Sequence, residues 1–505
     1  MELTTASDLE KLLLKSQEQI ATFWACTAQP GFSQIDCDKK CLSAIFSELN
    51  DINAECLWSF ACNGNQSIEN IYSRSIDTST QFISGIVSWS NGKESKEFSP
   101  ALRNLINNTQ SVPSSLYSQL PRFINEELAK TRYTINGYAL SCSEIRVLLD
   151  ATPPSERNEI WSQLAPQLKQ ASTTLIKHLD AASHELVKHH DQFNPLRDHY
   201  EIESGLLNIL ETSSNKLLKE YSLQPPSDTR DIYFKFDIKI GLDVVRDSYT
   251  RYLPAFLPAL DSLITRTEVF IDPEAQGIKW PFNVHFDSSR QHKIYLPSDN
   301  SLENLFDLAH HVGHALHQDL TGGDGVYNGV IAQSLNEVLP LLSEHLLQII
   351  IPSYFKLNAS DSAAVHSHAM KRMNFGVLQP WQTHHWQREL LALSASNKLD
   401  YSSMTRLWGE YFPHQRTEYI RQQTPLLAWL LDSKPLFQFP AVSSNALGGI
   451  IASILQPNLL NEPQHYSAIL LEQMIAEPRA LIRIIDSFQT IHPSQHIKGV
   501  KAEWH

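Results

Sequence analysis

The sequence lacks positive charge. Its 505 residues carry 41 Lys and Arg against 55 Asp and Glu, a formal net charge of −14. That balance argues against nucleic acid or an anionic membrane surface as the main partner, since both select for clustered cations. No apolar run approaches the ~18 residues that a membrane-spanning helix needs. The stretch beginning Met1-Glu2-Leu3-Thr4 has no basic region followed by an apolar run. No signal peptide is therefore expected, and a cytoplasmic protein is. A cysteine framework is also missing. The six cysteines, at 26, 37, 41, 56, 62 and 142, all lie in the first 142 residues. Cys37 and Cys41 have the look of half a metal site, but no second pair or nearby His completes it. Reduced, mostly buried thiols are expected instead.

What remains is ordinary for a globular chain: 42% hydrophobic and 19% charged residues, with length enough for about three domains. Residues 1–62 read as helices, with Leu9, Leu12, Leu13, Ile20 and Phe23 on one amphipathic stretch and Leu42 to Leu57 forming another. Residues 63–115, rich in Ser and Asn, read as short turns. From 117 to 223 the pattern is long helices, with Trp161, Leu164, Leu168, Leu175 and Leu179 at helical spacing. Gln224-Pro225-Pro226-Ser227-Asp228 is the clearest boundary. It divides the chain into an N-terminal helical lobe, 1–223, and a second lobe, 224–505. The second lobe opens with a long helix running toward 267. Short strands follow at 269–272, 278–286 and 292–296, and helices again over 346–432.

The chemistry concentrates in residues 298–345. Leu302, Leu305, Phe306, Ala309, Val312 and Leu316 follow helical spacing, with Asn300 and Glu303 as a capping box. His310 and His314 are four apart, so their imidazoles share one face and can grip one zinc ion. Metallopeptidases write this helix as H-E-x-x-H, with the Glu as general base. Here His311 stands at the Glu position. Glu337 follows 23 residues after His314, on a second helical segment with Leu335, Val338, Leu339 and Leu342. Gly322, Gly323, Gly325 and Gly329 mark the loop between. A second pair, His384-His385, has no third ligand nearby and reads as a surface or cleft lining.

The run His292-Lys293-Ile294-Tyr295-Leu296, then Asn300 through His310, then Gly313-His314-Ala315-Leu316-His317, resembles the oligoendopeptidase F branch of the thimet oligopeptidase family. Glu337-Val338 and Glu344 match that family's next segment. The resemblance covers about 230–460. It implies a mainly α, two-lobed fold with a deep central cleft and a small sheet beside the zinc helix. It also implies one zinc ion held by His310, His314 and Glu337, with His317 outside the ligand set, and cleft positions at His285, His292, Ser443 and Asn445. Substrate backbone would add to the sheet as a strand. Two parts of the family pattern are absent. The usual small-residue hairpin is replaced by Trp280-Pro281-Phe282-Asn283-Val284-His285. Ala441, Ser443 and Asn445 stand where the family's oxyanion-donating tyrosines would be, and Pro435 stands near its histidine.

Those losses set the functional expectation. A missing general base costs about 10²–10⁴-fold, and a missing oxyanion donor about 10²–10³-fold. The sequence therefore points to a divergent zinc enzyme acting on a small peptide-like or amino-acid-derived substrate, with neutral His311 as acid/base. The alternative is a non-catalytic pseudopeptidase that binds a peptide or protein partner, with His311 closing the metal site as a fourth ligand. A weak metalloendopeptidase is the third reading. Nothing in the pattern sets the oligomeric state.

Overall fold

Apolar residues at helical spacing dominate the chain, and it folds accordingly as a mainly helical protein. The computed structural model describes residues 5–27, 42–90, 131–153, 155–189, 204–223, 236–272, 278, 280–297, 301–321, 336–396, 398–411 and 441–476. In chain order the first elements are α1 (Ala6–Thr27), α2 (Ser43–Asn63), α3 (Gln66–Ser90), β1 (Tyr133–Ile135), β2 (Tyr138–Leu140), α4 (Cys142–Ala151), α5 (Arg157–His189) and α6 (Ser204–Leu223). Then come α7 (Ile238–Tyr252), α8 (Leu257–Ile264), β3 (Thr267–Ile271), β4 (Phe282–Phe286), β5 (Gln291–Leu296) and α9 (Leu302–Thr321). The last are α10 (Val338–Tyr354), α11 (Ala359–Met373), α12 (Gln379–Ala395), α13 (Tyr401–Tyr411), α14 (Ala441–Asn461) and α15 (Pro463–Ala476). Among these described residues, no helix is long and apolar enough to cross a membrane.

The chain divides into two compact units. One takes in 1–109, 219–373 and 447–505, and the other 110–218 and 374–446. The division expected at 223/224 follows neither, because the N-terminal helices pack on elements far along the chain. Ala54, Trp58 and Ala61 of α2 share a core with Ile278, Phe282, Val284, Phe286 and Tyr295 around the sheet. Asn50 donates to the His285 carbonyl at 3.1 Å, and Asp51 accepts from the Asp287 amide at 2.6 Å.

In this first unit the sheet has the order β3-β5-β4, with β3 parallel and β4 antiparallel to β5. Among the described residues the strand before the helix that carries His310 and His314 is central, and β4 is an edge. The expected long helix 236–267 is broken into α7 and α8 at Leu253–Phe256, where Pro254 has no amide hydrogen to continue the ladder. Residues 66–90, expected as turns, form α3. Its buried stripe is Ile68, Ile71, Ser75, Phe82 and Ile86, so serines hid a helical period.

Helix α9 is the centre of the unit. Leu302, Leu305, Phe306, Ala309, Val312 and Leu316 are all buried, as their spacing requires. Ser301 caps it, its Oγ accepting from the Asn304 amide at 3.4 Å. Asn300, the cap expected from sequence, lies outside the described residues, as do the loop glycines at 322–329. A Cβ on Gly313 would come within 2.6 Å of the Pro340 Cα, so this glycine is what lets α9 and α10 touch.

The second unit is described by itself. It opens with a hairpin, β1–β2, where long helices were expected. Asn136-Gly137 turns it, with φ of 51° and 83°, the Asn-Gly signature of a tight hairpin. Gln163 and Gln167 of α5 accept from the Asn136 and Thr134 amides at 2.8 Å each. Tyr133, Trp161, Leu164, Trp386 and Trp408 form the core. His384, read as surface or cleft lining, is instead buried beside Trp381. Burial, then the nearby His385 and Arg388 charges, push its pKa down to about 3. An unfolded His titrates near 6.5, so the unfolded chain takes up this proton first as pH falls. The stability from a neutral His384 is full above pH 6.5 and is lost as pH falls toward 3. A His384→Phe variant is expected to lose less stability than wild type between pH 6.5 and 4.5, by on the order of 1 kcal/mol per pH unit. Denaturant unfolding at both pH values checks this; parallel losses would reject it.

Candidate metal centre

His310 and His314 point from one face of α9 toward Glu337, the residue that precedes the first turn of α10. Their ring nitrogens Nε2 lie 3.1 Å apart, and Glu337 Oε2 lies 3.5 Å and 3.6 Å from them. Tetrahedral ligands at 2.0–2.1 Å from zinc are spaced by about 3.3 Å, so the triangle matches. These three residues form one of two groups of metal-type donors among the described residues. Glu337 Oε2 is buried with no hydrogen-bond partner, an arrangement costly without a cation. The site fits a divalent metal ion. Burial pushes the Glu337 carboxyl above its ordinary range, partly offset by His310.

The supports behind the ligands are as specific as the ligands. Glu344 Oε1 accepts from His310 Nδ1 at 2.7 Å, which leaves Nε2 with its lone pair toward the cluster. Arg372 then holds Glu344, with Nε 2.7 Å from Oε2 and Nη2 3.1 Å from Oε1. The same guanidinium pairs with Asp307 at 2.8 Å and with Glu303. Burial alone would raise the Glu344 carboxyl; Arg372 and His310 outweigh it and hold Glu344 well below the usual carboxylate range. Burial would likewise lower His310, but the Glu344 and Glu337 carboxylates bring it above its ordinary value. His314 is pushed well down by burial and then by His310 and its other histidine neighbours.

His311 stands beside this set and not in it. It is 9% exposed, and its Nδ1 lies 3.3 Å from Asn283 Oδ1 on β4. Burial and then the His310 charge depress its pKa well below the ordinary value, so the ring is neutral. With Nδ1–H donating to Asn283, Nε2 keeps its lone pair. His317 is buried with neither ring nitrogen hydrogen-bonded, and burial takes its pKa down to about 4. It too stands apart from the three-donor set.

The cleft expectations fare differently. His292 has no exposed surface at all, so it offers nothing to a substrate; it faces His285 and Asp319. Asn445 is half-buried on α14, and the Ser443 side chain and Pro435 lie outside the described residues. What α14 does bring is Gly448, where a Cβ would meet Glu337 Cβ at 2.5 Å. Gly448→Ala is expected to push Glu337 off its partners and weaken metal binding by about 10–100-fold, as loss of a ligand's support does. A competition titration against a coloured chelator measures it; unchanged affinity would mean that α14 yields instead. Sequence reasoning placed Glu344 but missed Arg372, Asp307 and Asn283. Arg372 lies 28 residues beyond Glu344 in Met370-Lys371-Arg372-Met373, with no local signal.

No protein-family model matches the sequence. No curated protein matches it either. Solved structures do match its fold. One is a peptidase assignment from Chlamydophila abortus, 12% identical, TM-score 0.65, covering 90% of this chain and 87% of that one. The chain shares a peptidase fold. A second similar structure is PZ peptidase A with an inhibitor, 11% identical, TM-score 0.55, covering 96% of this chain and 94% of that one. An oligoendopeptidase F structure from Bacillus anthracis str. Ames matches over 97% of each chain at 11% identity and TM-score 0.44.

Proposed function

We propose that this chain is a zinc-dependent enzyme built on a peptidase fold, acting on a small peptide-like or amino-acid-derived substrate without the Glu-based mechanism of H-E-x-x-H. The observation that carries the reading is the chain Arg372–Glu344–His310. Four charged side chains, Arg372, Glu303, Asp307 and Glu344, are organised behind one imidazole. Such an arrangement orients a metal ligand and has no evident use otherwise.

His310, His314 and Glu337 would hold the ion. Zinc there would supply Lewis acidity to a bound carbonyl. His311 supplies proton transfer. Its Nε2 takes a proton from the attacking nucleophile and returns it to the leaving group, while Asn283 fixes the ring through Nδ1. Residues that bury His311 keep it neutral and therefore able to accept. Free thiols at Cys56 and Cys62 fit a reducing, cytoplasmic setting.

Metal analysis of purified protein tests the ligand assignment: His314→Ala is expected to lose one equivalent of zinc. Equal zinc in wild type and variant would reject it. A screen of dipeptides and acylated amino acids tests the chemistry, with His311→Ala expected to cost about 10²–10⁴-fold on whichever substrate responds. A second reading, a non-catalytic pseudopeptidase, draws on β4: it pairs only with β5 among the described residues, so an extended peptide can add along its other edge up to His285, whose carbonyl Asn50 already holds. Peptide binding with no turnover in the screen would favour it.

A further inference from the structure

A second group of donors lies at the far end of α9. His285 on β4 and His292 on β5 are directly opposite in the antiparallel register. Asp319 reaches them from the last turn of α9. His285 Nδ1 lies 3.1 Å from His292 Nε2, which lies 2.9 Å from Asp319 Oδ1. One ligand-type atom from each residue falls within 4.8 Å of the other two.

Protons do not account for this meeting. His285 Nε2 stands 3.1 Å from the carboxylate oxygen Asp287 Oδ1; the tautomer with its hydrogen on Nε2 faces that charge, and in it His285 Nδ1 carries a lone pair. Asp319 Oδ1 is an acceptor; its other oxygen, Oδ2, takes Arg266 Nη2 at 2.5 Å. His292 Nε2 thus faces two acceptors with one hydrogen at most. Protonating His292 Nδ1 as well adds no hydrogen on the side that faces the two acceptors. Three acceptor atoms facing inward is the arrangement a cation satisfies.

We infer that His285, His292 and Asp319 form a second metal site, taking a divalent transition ion of the zinc type and tying the β4–β5 pair to the C-terminal end of α9. Two imidazoles and one carboxylate suit zinc, cobalt or a similar borderline ion and not calcium or magnesium, which favour all-oxygen shells. The site is independent of the one at His310, His314 and Glu337, sharing no ligand with it. Its role is structural: Asp51 of α2 already clamps the β4–β5 turn through the Asp287 and Ser288 amides at 2.6 and 3.3 Å, and an ion would fix the other face of that turn to the metal helix.

The full chain, stripped of metal by chelator, is titrated with Co²⁺ and followed by its visible bands, with Zn²⁺ stoichiometry measured by elemental analysis. Wild type is expected to bind two equivalents. His285→Gln and Asp319→Asn are each expected to lose one. The His310→Ala/His314→Ala double variant, which leaves the second site untouched, is expected to keep one equivalent and to melt at a higher temperature with Zn²⁺ than without. A double variant that binds no metal would overturn the inference while leaving the proposed function standing. A double variant binding as much as wild type, with His285→Gln reduced, would support the second site and sink the first.

Discussion

Glu344→Gln is expected to cost more stability than any other single substitution at the candidate metal centre. The Glu344 carboxylate is held between the Arg372 guanidinium, at 2.7 Å and 3.1 Å, and His310 Nδ1 at 2.7 Å. Removing its charge leaves Arg372 with Asp307 and Glu303 and strips His310 of its anionic acceptor. Breaking a buried pair by removing one partner costs about 3–5 kcal/mol. Metal affinity should fall a further 10–100-fold, because His310 is no longer held in one tautomer. Chemical denaturation of the metal-free chain reads the first effect and chelator competition the second. The two readouts separate a structural role from an orienting one: loss of stability with unchanged affinity would show that Glu344 serves only Arg372. The conservative Glu344→Asp variant, which keeps the charge, should recover part of both.

Restoring the family residue, His311→Glu, is expected not to restore efficient peptide hydrolysis. The introduced carboxylate would return a general base near the ligand triangle, a gain of about 10²–10⁴-fold at most. The oxyanion donors would still be missing, at about 10²–10³-fold each. The substitution would also remove the ring N–H that His311 donates to Asn283 Oδ1 and would set a third carboxylate beside Glu337 and Glu344. Activity on the native substrate should fall in His311→Glu and His311→Ala alike. A fluorogenic peptide panel and the small-molecule screen, run on the same preparations, give both answers. Vigorous peptide cleavage by wild type would mean that other groups replace the absent donors; unchanged native activity in His311→Ala would reduce His311 to a bystander.

Much of the centre was legible because it is local. His310 and His314 are four apart on a helix whose apolar residues at 302, 305, 306, 309, 312 and 316 fix the buried side, so the shared face of the two imidazoles follows from periodicity alone. The mainly helical class was legible for the same reason. Three short strands between 267 and 296 were expected close to their observed positions. The Asn136-Gly137 turn dipeptide encodes its hairpin just as locally, inside a segment whose apolar spacing otherwise points to helix.

What the sequence could not set is whatever depends on residues far apart meeting. That the strand before α9 is central depends on β3 pairing with it in parallel, a choice made by the crossover and not by either strand's pattern. The N-terminal helices join the first unit because Trp58 and its neighbours need a partner face, and only the packed sheet supplies it. Arg372 reaches Glu344, and Gly448 presses on Glu337, through helix packing that no spacing encodes. The family resemblance implied a cleft position for His292. Tertiary structure buried it against Asp319, because a strand's polar face is exposed or enclosed according to what packs on it. Sequence thus determined which residues are metal-type donors, and the packing of α9, α10, α11 and α14 decided which of them meet.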